Sequence, residues 1–154
     1  MSRKYFNPSV LNLPKQEMLM KLFHPQFRVT RSTPAERVWK GDVTPTALSD
    51  TYEIAIQYKL GSQPRIDVIS PKLILAVGAD ELPHIYPDEG LCLYYPKAGE
   101  WHPGRAIAGY IVPWITMWLT FYEGWLATST WHGGGIEHGP AHRPGPLTAS
   151  QGND

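Results

Sequence analysis

The sequence predicts an α+β domain in which helices lie on one side of an antiparallel sheet. Three observations carry this. Four strand-like runs follow one another between residues 27 and 70. A helical pattern precedes them at residues 15–23, and a long apolar helical pattern follows from about Arg105 to Ala127. The expected order is an N-terminal helix, a four-stranded antiparallel meander, a long irregular loop and a long helix.

Each element has its own signal. In KQEMLMKLF, Met18, Leu19, Leu22 and Phe23 recur at helical spacing, and Pro25 then ends the helix. The runs FRVTRS, ERVWKGDVT, TYEIAIQYKL and RIDVIS are rich in β-branched and aromatic residues and are divided by Pro, Gly, Asp and Ser. In the third run Tyr52, Ile54, Ile56 and Tyr58 fall on one face, with Glu53 and Gln57 on the other. A period of two marks a half-buried antiparallel strand. Gly61–Pro64, GSQP, supplies a hairpin connection to the fourth run. Residues 76–105 lack periodicity and are punctuated by Pro and Gly, as a loop would be. The long helix is expected to kink or restart around Pro113.

Composition narrows the class. At 154 residues the chain suits one domain with a sizeable core. A hydrophobic content of 42% fits a globular protein, not a disordered one. Fourteen acidic and fourteen basic residues cancel, so nothing global points to nucleic acid or an anionic membrane. Ala106–Ala127 is apolar, but Glu123, Pro113 and several hydroxyls interrupt it and no basic cluster flanks it. A buried helix is expected there, not a membrane span. The first residues, MSRKYFNPSVLNLPKQ, lack an apolar h-region, so a secretory signal is not expected and the cytoplasm is the simplest location. Residues 1–138 are assigned to a single domain. Residues 139–154, GPAHRPGPLTASQGND, lack apolar anchors and are assigned to a flexible tail. No glycine-rich dinucleotide or phosphate-loop motif is present, and no cofactor is called for.

One stretch carries chemistry: LPHIYPDEGLCLYYPKAGEWHP, Leu82–Pro103. It holds Cys92, the single cysteine of the chain, so no intramolecular disulfide can form. A lone Cys between two Leu residues is on its own a small buried hydrophobe. Its setting in a turn-rich loop after a sheet is, however, where catalytic groups tend to sit.

Order and spacing in this stretch resemble the active-site segment of ubiquitin-conjugating (UBC) enzymes. Leu82-Pro83-His84-Ile85 matches that family's His-Pro-Asn-Ile-type motif, Leu91-Cys92-Leu93 its nucleophile, and Trp101-His102-Pro103 the Trp-Ser-Pro that opens its second helix. The resemblance covers roughly residues 15–127 and implies a UBC-like fold. Two departures accompany it: His84 stands where the family has Asn, and Leu82 where it has His.

The resemblance implies thioester exchange. Cys92 would attack the activated C-terminal carbonyl of a partner protein, and an amine would then attack the thioester. An imidazole at His84 can donate to an oxyanion or take a proton from the incoming amine, or it can simply bind loop backbone. Asp88 either contacts the amine or is a solvated turn residue. Tyr94 and Tyr95 either line a channel for the partner's extended tail or pack in the core. Trp101 is expected to pack beneath the loop and position it.

A second unusual stretch is Trp131–His138, WHGGGIEHG without its last glycine. His132, Glu137 and His138 match no zinc spacing, so no metal site is assigned. Its glycines suit a tight turn beside the active site. This ending resembles bacterial conjugating-enzyme-like proteins of antiphage defence operons (CBASS, cyclic-oligonucleotide-based signalling). The implied partner is the C-terminal tail of a cGAS-like nucleotidyltransferase, or a ubiquitin-like protein in a related operon. With no adenylation motif in the chain, any ATP-dependent activation would come from a separate activating enzyme. The rival reading is a UBC-like binding module with an inert Cys92.

Overall fold

A computed structural model describes residues 10–94 and 99–133. Among them are helix α1 (Leu13–Phe23), strands β1 (Arg28–Thr33), β2 (Glu36–Val43), β3 (Tyr52–Lys59) and β4 (Arg65–Ser70), and helix α2 (Ile107–Thr128). The strands form one antiparallel sheet in the order β1-β2-β3-β4. This is the α+β meander expected from the sequence.

Helix α1 begins where Asn12 turns its side chain to accept the Lys15 N–H at 2.8 Å, with Pro14 in the first turn. It ends at His24, just before Pro25. Its buried face is Leu13, Gln16 and Met20. Met18, Leu22 and Phe23, three of the four residues expected to face the core, are exposed, and only Leu19 packs against it. The reason lies in α2. Gln16 is fully buried: its Oε1 accepts the Ile107 N–H at 2.9 Å and its Nε2 donates to the Arg105 carbonyl at 3.0 Å. Ala106, the residue before α2, offers no capping side chain. The first amide of α2 would otherwise be an unpaired buried donor, so a polar residue wins the inward face.

The sheet follows its period-two pattern. Along β3, Tyr52, Ile54, Ile56 and Tyr58 are buried and the residues between them less so. Gly41 in β2 is required by the chain entering β1: a Cβ there would lie 2.8 Å from Gln26 O and from Phe27 Cα. The inward residues of both helices and the sheet share one core, including Trp39, Ile56, Ile66, Ile111, Ile115 and Leu119. Glu123 of α2 ties that helix to the β2–β3 connection, accepting from Ser49 Oγ at 2.5 Å and from the Tyr52 hydroxyl at 2.7 Å.

Helix α2 is continuous across Pro113, which is exposed. The expected restart is not seen. Pro113 has no N–H to donate to Gly109 O, but Gly109 is exposed too, so water can serve that carbonyl. Among the described residues no helix is long and apolar enough to cross a membrane.

Candidate active site

The loop between β4 and α2 brings the first two motif segments together. Ile85 and Leu91 form an antiparallel bridge, closed by Tyr86 N–H to Gly90 O at 2.8 Å and Cys92 N–H to His84 O at 3.0 Å. A small hairpin with a Tyr86–Gly90 turn at its tip therefore sets His84 directly across from Cys92. Leu91 N–H donates to Ile66 O at 2.9 Å, docking this hairpin onto β4.

His84 adopts φ +50°, an uncommon region for a residue with a Cβ in which His is enriched. Its carbonyl collects a second donor, the Trp118 indole N–H, at 3.1 Å. Its ring lies against Trp131, with centroids 4.9 Å apart and planes tilted by 33°. Trp131 arrives there because α2 closes on Ser129 in the left-handed region, φ 65°, and the chain turns back. It also packs on Trp118 and Phe121. Gly133 keeps the approach open, since a Cβ there would lie 2.6 Å from the Phe121 ring. The described part of the histidine-glycine stretch thus sits beside the loop; Gly134 onward, with Glu137 and His138, lies outside the described residues.

Cys92 is buried, 5% exposed. Burial pushes its thiol up to about 11, against the opposing pull of a hydrogen bond from Tyr86 and the weak contact of Sγ with Tyr94 O at 3.8 Å. The resting group is a neutral thiol. Because the folded value lies above that of the unfolded chain, the neutral form favours the fold at neutral pH, and this contribution is lost as pH rises toward 11. Alkylation of Cys92 by iodoacetamide is accordingly expected to be slow at pH 7 and to rise roughly tenfold per pH unit until about 11. In urea the profile should level off near the ordinary thiol value of ~8.5. Identical profiles in buffer and urea would show that the thiol is not masked.

The other candidate residues have definite places. Tyr94 is buried, its ring 5.3 Å from that of Trp114 and its hydroxyl bonded to Gln63 Oε1. Trp101 is buried beneath the loop, edge-on to Tyr58 at 5.8 Å. Asp88 stands at the exposed turn, its carboxylate bonded by Arg65 and by the Gly90 N–H at 3.1 Å. Tyr95 lies outside the described residues. The structure adds Tyr86, whose phenol reaches the Cys92 sulfur, and the Trp118–Trp131 pair around His84. Tyr86 lies inside the turn-rich run, but no spacing rule singles it out. Trp131 is remote from His84 in sequence and met only through the α2 turn.

Fold and site together describe a small α+β protein with one thiol on a short hairpin docked against the edge strand β4. The family model for the Type II CBASS E2 protein matches residues 16–139. The chain belongs to the Type II CBASS E2 family, which places it in CBASS antiphage defence with an E2-like conjugating role, a transferase in the general sense. A search of curated proteins finds no match.

Proposed function

We propose that the protein is a UBC-type acyl carrier in which Cys92 forms a thioester with the C-terminus of a CBASS partner, a cGAS-like nucleotidyltransferase. The observation that carries this reading is the Cys92 N–H bond to His84 O, which sets the residues of two motifs face to face on one hairpin. In the first step the Cys92 sulfur attacks a carbonyl already activated by a separate protein. A C–S bond forms, the activating group leaves, and the thiol proton passes to solvent. In the second step an amine attacks the thioester. An amide forms, the C–S bond breaks, and the sulfur recovers a proton. His84 serves as oxyanion donor or as base for the amine. Asp88 stands at the exposed turn, on the side open to the incoming amine, while Tyr94 and Trp101 support the loop from within the core.

Burial of the thiol favours a second reading, an inert module of the same fold that binds the partner without chemistry. Co-purification with the neighbouring operon proteins, read by non-reducing and reducing gels with intact mass, separates the two. A heavier species released by thiol and absent in Cys92→Ala is the expected result. A Cys92→Ser variant should trap the same acyl group as an ester. A partner that stays bound with no adduct under any condition would leave the inert module.

A further inference from the structure

We propose that Arg65 is a positioning residue for Cys92: it clamps the Tyr86–Gly90 turn to the start of β4 and holds the thiol in its buried place. Its catalytic consequence rests on the reading of Cys92 as the nucleophile; the clamp itself does not.

The arrangement is a relay. Asp67, two residues along the same strand face, takes Arg65 Nε and Nη2 at 2.9 Å each and so fixes the plane of the guanidinium. The outer edge of that fork then holds Asp88 twice, Nη1 on the carboxylate and Nη2 on the main-chain carbonyl at 2.8 Å. Asp88 in turn accepts the Gly90 N–H, two residues before the cysteine. A fork bonded to two carboxylates and a carbonyl restrains orientation as well as distance.

Ile85 and Leu91 pack on the core, but the turn between them is not closely packed on β4. Between it and β4 lies a cleft of about 190 Å³, bordered by Pro64, Arg65, Tyr86 and Leu91. Besides Arg65, the Leu91 N–H to Ile66 O bond at 2.9 Å crosses that gap. The side chains of Arg65, Asp67 and Asp88 are 37%, 37% and 64% exposed. Ion pairs this wet contribute little to global stability. Their effect is therefore local: they limit how far the turn lifts, and with it Tyr86, whose phenol is hydrogen-bonded to the Cys92 sulfur. A lifted turn would admit water and reagent to the thiol through local opening, without global unfolding.

The test uses the full chain and iodoacetamide at pH 8, with the melting temperature recorded beside each rate. In Arg65→Ala the Cys92 alkylation rate is expected to rise several-fold with the melting temperature essentially unchanged. Arg65→Lys keeps the charge but loses the fork, and should fall between wild type and Arg65→Ala. An unchanged rate in Arg65→Ala, or a rate that rises only in step with falling stability, overturns the clamp. A Lys variant indistinguishable from wild type overturns the role of the fork. With the operon partner present, Arg65→Ala should form less thiol-labile adduct even as its free thiol reacts faster. If wild type forms no adduct while the alkylation result holds, the clamp stands and the nucleophile reading falls.

Discussion

Trp101→Ala is expected to destabilise the fold by ~3–5 kcal/mol, the cost of emptying a large aromatic site in a packed core. Trp101 is 1% exposed and lies edge-on to Tyr58 of β3, with planes at 89°. It also fastens the segment just before α2 to the sheet. Truncation therefore removes both the buried area and the anchor. The indole N–H of Trp101 is buried and has no hydrogen-bond acceptor among the described residues. Trp101→Phe discards that unsatisfied donor while keeping an aromatic ring, and should cost only ~1–2 kcal/mol. Urea unfolding of the two variants checks both values. An Ala variant that loses less than the Phe variant would show that the indole is not the anchor of this loop.

The second large effect belongs to Gln16. Gln16→Leu keeps a similar volume and supplies the apolar character usual at a core position, yet should cost ~2–4 kcal/mol, because it strands two buried backbone groups at once. The Ile107 N–H loses its acceptor and the Arg105 carbonyl loses its donor. Helix α2 would then start without a cap, since Ala106 provides none. Urea denaturation should show the loss, and hydrogen exchange should localise it to the first turn of α2. A Leu variant as stable as wild type would mean that the α2 start is served by water and that Gln16 is ordinary packing.

These two residues show where sequence reading succeeds and fails. Trp101 was legible because its place after Cys92 matches a motif, and because large aromatics in such loops pack inward. Gln16 was not, because its burial answers a need at Ile107, which stands 91 residues away along the chain. The apolar periodicity of α1 points to Met18, Leu22 and Phe23, which lie exposed. Periodicity finds a helix but weighs a buried glutamine as polar, whereas the fold weighs it as a cap.

What the sequence determined by itself is local. The alternation in Tyr52–Tyr58 dictates a half-buried strand, the Pro and Gly punctuation closes the meander, and the apolar run from Ile107 dictates a long buried helix. The spacing of Leu82–Pro103 also determined where the single thiol would sit in the chain. Tertiary structure decided the rest. Whether Pro113 breaks α2 depended on which side of the helix faces water. Trp131 meets His84 only because Ser129 turns the chain back over the loop. The protonation state of Cys92 depends on surroundings drawn from the neighbouring loop, above all its burial and the Tyr86 phenol. Backbone propensity and periodicity act over a few residues. Burial, caps and the charge state of a thiol are set by what arrives from elsewhere in the chain, and only the assembled core brings those groups together.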